Sequence, residues 1–286
     1  LKFYLRYVAG IGEAYEVSEE IDAAGFGTVV HDSISELYET IAGNKEGPIS
    51  KEDLQKLRSS GRAEEVLLSS FIKQHYKGRK KSSLEGRNIL IFRVMLRYLE
   101  KIIDTDMALA PFSLVSSERS YQRRLDLRTG DGILALRMGG KIDRVDRVGE
   151  LLRVIDYKTG NARQNFPSTE SLFEGDSVNR NGAAMQTLFY AWLVGEEHQG
   201  QAVLPGLYVM KALYGKEFDP ALILGSHRGK LRISSFSDLE EEFISGLKGV
   251  LSRMFDPTIP FSQRKHDVKC SYCDFALICN RVSMDA

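Results

Sequence analysis

The stretch "GKIDRVDRVGELLRVIDYKTG", residues 140–160, constrains the fold more than any other part of the chain. Two β-branched runs flank Gly149-Glu150, a pair suited to a two-residue hairpin turn with glycine first. Pairing Val148 with Leu151 sets a register in which Val145 opposes Val154, Asp146 opposes Arg153, Ile142 opposes Tyr157 and Asp143 opposes Asp156. The Asp146–Arg153 pair has opposite charges and is assigned to structure, at roughly 0.2–1 kcal/mol. Asp143 and Asp156 are different. Their side chains root about 5 Å apart and repel unless something cationic sits between them. Lys158, two residues beyond Asp156, projects from the same face of its strand. The hairpin reads as a cation site, set against the plainer alternative that both acids face water.

Composition narrows the class. The chain has 286 residues and is 43% apolar, enough for a sizeable core in one domain or one domain with an appendage. Its formal net charge is zero, so a nucleic-acid site requires locally sorted charge. No apolar run approaches the roughly 18 residues of a membrane span, and no signal-peptide pattern opens the chain. Three cysteines, all from Cys270 onward, do not make an even disulfide framework, which points to a cytoplasmic setting. The chain starts at Leu1 on "LKFYLRYVAG" without an initiator Met, and we read it as a piece of a longer protein.

Along the chain, helical periodicity covers residues 25–42, with Val30, Ile34, Leu37, Tyr38 and Ile41 inward. Helices are expected at 51–59, 62–76 and about 87–104, the last with Ile91, Val94, Met95, Tyr98, Leu99 and Ile102 toward the core. Strands follow from 112 to the hairpin, then a polar loop (161–182), a helix from "AAMQTLFYAWLVGE", a strand at 203–213 and a helix at 237–254. This order predicts a mixed α/β domain with a helical region in front. The expected divisions are 1–110 (helical region), 111–260 (core) and 261–286 (cysteine-containing tail).

Two carboxylates with a lysine beside them are what metal-assisted phosphodiester hydrolysis requires. The acids hold a hard divalent cation, which acidifies a water and neutralises phosphate charge. The lysine orients that water or stabilises the developing oxyanion. The run "GKIDRVD … VIDYKTG" resembles the Gly-x-x-Asp and Asp-x-Lys motifs of the PD-(D/E)XK nuclease superfamily. It is most similar to the branch of RecB- and AddB-type helicase–nucleases and CRISPR-adaptation nucleases. That branch also carries a histidine on an early helix, a Gln-x-x-x-Tyr helix and a C-terminal cysteine cluster. Here these correspond to "GFGTVVH" ending at His31, "QTLFY" with Gln186 and Tyr190, and Cys270, Cys273 and Cys279.

The resemblance implies a restriction-endonuclease-like core and a DNA nuclease using Mg²⁺ or Mn²⁺. Asp143, Asp156, His31 and the Tyr157 carbonyl are the expected ligands, Lys158 the catalytic lysine, and Gln186 and Tyr190 strand-contacting or bracing residues. It implies an exonuclease module of a repair and recombination helicase–nuclease, with a helicase subunit or domain as partner. A free-standing CRISPR-adaptation-like exonuclease and a non-cutting DNA-binding scaffold are the alternatives. DNA-contact candidates are Lys77, Arg79, Lys80 and Lys81 and the stripe Arg93, Arg97, Lys101. The Cys-x2-Cys-x5-Cys tail lacks a fourth thiolate. In the family that ligand precedes a segment like "LKFYLRY", so a [4Fe–4S] cluster is expected in the full-length protein only. Nothing in the spacing favours His266 as a substitute.

Overall fold

Local sequence signals set the helix starts. The computed structural model describes residues 1–12, 21–76, 84–129, 132–174, 180–215, 217–225, 229–263, 270 and 273–281. Helix α1 (Ala23–Gly43) begins where the Asp22 side chain accepts a hydrogen bond from Gly25 N. Helix α2 (Lys51–Ser59) has a reciprocal capping box between Ser50 and Asp53, and α3 (Arg62–Tyr76) follows after Gly61, a positive-φ turn. The expected bounds of α2 and α3 hold. Helix α4 (Arg87–Leu109) runs five residues past the expected end. It buries Phe92, Met95, Leu99, Ile102, Ile103 and Asp106, whereas Val94, expected inward, is 44% exposed.

The strand region is longer and more continuous than its sequence texture indicates. Strands β1 (Ser113–Thr129) and β2 (Gly132–Val148) form a long antiparallel ribbon, and β2 passes unbroken through Gly139-Gly140. Strand β3 (Leu151–Lys158) pairs antiparallel with β2, and β5 (Val203–Val209) pairs parallel with β3. The sheet order is β1-β2-β3-β5. Helix α5 (Gly182–Glu197) provides the crossover between the parallel strands. Three two-residue strands, β4 (Asn165–Phe166), β6 (Ile223–Leu224) and β7 (Leu231–Arg232), form a second mixed sheet absent from the sequence expectation, and α6 (Glu240–Met254) closes the core.

The sheet has a core on each face. Leu152, Val154 and Leu207 join α5 and α6 residues such as Leu188, Leu193 and Phe243. Ile155, Tyr157 and Tyr208 join α1–α4 through Val30, Leu37, Phe71, Met95 and Leu99. The result is the mixed α/β, restriction-endonuclease-like arrangement expected, with the N-terminal helices forming one of its layers. Among the described residues no helix is long and apolar enough to cross a membrane.

Two buried arginines sit inside the helical layer. Arg144 donates to both Asp106 oxygens at 2.7 and 3.0 Å, and Arg153 donates to both Asp146 oxygens at 2.6 and 2.9 Å. Arg144 Nε lies 2.9 Å from Asp146 Oδ2, linking the pairs. Tyr38 and Tyr208 donate hydroxyls to Asp106, and Arg144 reaches the Tyr157 hydroxyl. Four acids and bases thus balance to zero. The Asp146–Arg153 pair is structural, as expected.

The N-terminal segment packs on the tail. Leu1 donates its terminal amine to Ser262 O, Lys2 pairs with Asp274, and Phe3 and Tyr4 contact the Phe261 ring.

Candidate active site

The expected register holds from Val148–Leu151 to Arg144–Ile155 and no further. Ile142 packs in the α5 layer and Tyr157 in the helical layer, so the pairing expected between them does not form. The ladder opens where the two carboxylates would have met. Asp143 Oδ2 instead accepts the Tyr157 backbone N–H at 2.8 Å. A charged side chain thus replaces a ladder carbonyl and keeps the strands joined across the gap.

Helix α1 brings His31 to this opening. Its Nε2 lies 3.1 Å from the Tyr157 carbonyl oxygen, and its Nδ1 lies 3.3 Å from Asp143 Oδ1. Burial works against a charged imidazole here. The pull of Asp143, Glu118 and Asp156 exceeds it and raises the His31 pKa. Both ring nitrogens therefore face acceptors, and a cation must displace the proton on one of them.

Asp156 is 1% exposed, and Lys158 Nζ lies 2.6 and 2.8 Å from its two oxygens. Burial pushes the Asp156 pKa up to about 6, Lys158 opposes that rise and Asp143 adds to it. Both oxygens are therefore held by the ammonium, although hydrogen-bond geometry is met at Oδ1 alone. A divalent cation taken up by this carboxylate would share it with Lys158 or displace the lysine. The donors here, carboxylate and carbonyl oxygens with one imidazole, suit Mg²⁺ or Mn²⁺. The residues fit such an ion.

One member was not foreseen. Glu118, on β1, has φ +47° and brings Oε1 to 3.7 Å from His31 Nδ1. Ligand atoms of His31, Glu118 and Asp143 lie within 4.8 Å of one another. In "LVSSERS" nothing local marks this glutamate, because its partners come from α1 and β2.

Gln186 and Tyr190 meet as expected on one face of α5. Gln186 Nε2 donates to the Tyr190 hydroxyl at 2.7 Å, and burial raises the tyrosine pKa to about 12. The Tyr190 ring crosses Gly140, where an added Cβ would lie 2.8 Å from Cε1. This accounts for the glycine of Gly-x-x-Asp: a side chain there collides with the tyrosine over the site. Gly140→Ala is expected to displace Tyr190 and cost about 1–3 kcal/mol by overpacking; urea unfolding beside a Gly140→Ala/Tyr190→Leu double variant, which should recover much of the loss, checks it.

Cys270, Cys273 and Cys279 form no disulfide and, among the described residues, no metal-holding group. Arg93 and Arg97 are exposed, while Lys101 lies over the Tyr214 ring at 5.9 Å. Lys77, Arg79, Lys80, Lys81 and His266 fall outside the described residues.

No curated protein matches the chain. A solved structure titled "Crystal structure of SSO0001" aligns with 87% of this chain and 96% of that one, at 15% identity and a TM-score of 0.32, too low to carry an argument. The sequence model that matches is a different matter, because it spans residues 1–280 and therefore all of the elements that converge on Asp143, Asp156 and Lys158. On that match the chain belongs to the PD-(D/E)XK nuclease superfamily, whose members are metal-dependent nucleases.

Proposed function

We propose that this chain hydrolyses DNA phosphodiesters with Mg²⁺ or Mn²⁺ as the nuclease module of a repair and recombination helicase–nuclease, acting as an exonuclease. The observation that carries the chemistry is the group formed by His31, Glu118 and Asp143, whose ligand atoms lie within 4.8 Å of one another, with the Asp156–Lys158 ion pair on the adjoining strand. The helicase association and the exonuclease mode rest on the motif resemblance. So does a [4Fe–4S] cluster using Cys270, Cys273 and Cys279 with a fourth thiolate from a longer chain.

A divalent ion held by Asp143, Asp156, His31 and the Tyr157 carbonyl would acidify a water and offset phosphate charge. Lys158 then releases Asp156 and turns its ammonium to the reacting phosphate or water. Tyr190, fixed by Gln186, covers the α5 side and limits how the DNA strand can lie.

The substrate path follows the charge. A cavity of ≈ 650 Å³ opens past the carboxyl ends of β3 and β5, lined by Arg163, Arg180 and Lys211 beside the Asn181 cap of α5. Sheets of this kind bind ligands at those strand ends. Three cations there suit the phosphates flanking the cleaved bond. Arg180→Ala and Lys211→Ala are each expected to weaken DNA binding and to reduce the salt dependence of binding by about one charge. Fluorescence anisotropy across a salt series reads both; an unchanged slope in both variants removes the cavity from the path.

The direct test incubates linear and circular DNA with the chain and Mg²⁺, Mn²⁺ or chelator. Metal-dependent shortening of linear DNA alone is the expected result. Cutting of circles replaces the exonuclease mode with an endonucleolytic one, and binding without cutting favours the scaffold reading.

A further inference from the structure

We propose that Glu118 is a metal ligand of this site, presented by Lys141; the proposal rests on the metal-dependent nuclease reading and adds to its ligand set. The glutamate occupies a backbone conformation, φ +47°, that residues other than glycine adopt at a cost of about 1–2 kcal/mol. Such strain persists where the surroundings fix it and concentrates at functional sites. Flanking residues Ser117 and Arg119 keep their pairing with Arg144 and Ile142, so β1 is held on both sides of the distortion. At the distortion, Oε1 sits 3.7 Å from His31 Nδ1 and Oε2 sits 2.5 Å from Lys141 Nζ.

The lysine contact does not by itself account for the arrangement. Lys141 is 57% exposed, and an ion pair that open to water stabilises by ~0–1 kcal/mol, no more than the strain costs. Meanwhile Glu118 and Asp143 bring two carboxylates to the same imidazole nitrogen. The ligand atoms of His31, Glu118 and Asp143 lie within 4.8 Å of one another, close enough for one ion to reach all three. The layout is also paired: Lys141 stands two residues before Asp143 on β2, and Lys158 two residues after Asp156 on β3. Each lysine neutralises one acid, Glu118 or Asp156. A metal entering between them would take Oε1 while Lys141 kept Oε2, and ligating carboxylates are commonly held in this way by a second hydrogen bond.

Calorimetric titration of the 286-residue chain with Mn²⁺ tests this, with wild type, Glu118→Gln, Glu118→Asp, Lys141→Met and Asp143→Asn compared and thermal melts confirming the fold. Glu118→Gln is expected to weaken Mn²⁺ binding about 10–100-fold. Glu118→Asp, with charge kept and reach shortened, should fall between. Lys141→Met should alter affinity in wild type and have no effect in the Glu118→Gln background, because it acts through that carboxylate. Wild-type affinity in both Glu118 variants, with binding lost in Asp143→Asn, overturns the proposal and leaves the nuclease reading standing. Unchanged binding in Asp143→Asn as well overturns the metal site itself.

Discussion

Asp106→Ala is expected to lower the stability of this protein by about 3–5 kcal/mol in urea unfolding, the largest loss from any single truncation in the helical layer. Asp106 has no exposed surface and accepts from Arg144, Tyr38 and Tyr208. Burial by itself would raise its pKa, but Arg144 outweighs burial and holds it below the ordinary carboxylate range. The network's contribution is therefore complete above that ordinary range and is lost as pH falls through the depressed value. Removing Asp106 leaves the guanidinium of Arg144, 1% exposed among Tyr38, Phe112, Tyr157 and Tyr208, to share Asp146 with Arg153, two cations on one carboxylate. The loss is mostly the cost of that undercompensated buried charge. Asp106→Leu/Arg144→Met, which leaves Asp146 and Arg153 still balanced, should then cost less than Asp106→Ala. A double variant less stable than the single would show that the hydroxyl partners, and not the charge, dominate.

How far this design was legible in the sequence depended on distance along the chain. Strong local signals were read correctly: the capped bounds of α2 and α3, the Gly149-Glu150 turn and the Asp146–Arg153 pair. Gly139-Gly140 carries the composition of a break yet lies inside β2, where Gly140 makes room for Tyr190. Asp106 and Arg144 carry no local mark of burial, because each is satisfied by the other across 38 positions. Glu118 was invisible for the same reason. The expected opposition of Asp143 and Asp156 does not form as a ladder pair: the register stops one step short, and Asp143 instead accepts from Tyr157 N, a side-chain bond that no pairing rule anticipates. The β4-β6-β7 sheet was missed because two-residue strands leave no period to detect.

Lys158→Met should separate chemistry from metal binding. The ammonium sits 2.6 Å from a carboxylate oxygen that would also hold the ion, so in the metal-free protein it competes for that ligand. Deleting it should leave Mn²⁺ affinity equal to or higher than wild type. Cleavage should nonetheless fall about 10²–10³-fold, the typical loss when one group stabilising developing charge is removed. Metal-free stability should fall as well, because Asp156, 1% exposed, loses the ammonium that contacts both its oxygens. Asp156→Asn should show the opposite pattern in two readouts. It loses Mn²⁺ binding with cleavage, yet melts higher without metal, by roughly 1 kcal/mol, because a carboxylate whose pKa burial has pushed to about 6 is no longer ionised in the core. Two of three measurements thus diverge between the variants, affinity retained or lost and melting temperature down or up, while cleavage falls in both. If Lys158→Met loses metal affinity in proportion to cleavage, the lysine only supports Asp156, and the group acting on the phosphate must be sought elsewhere in the opening.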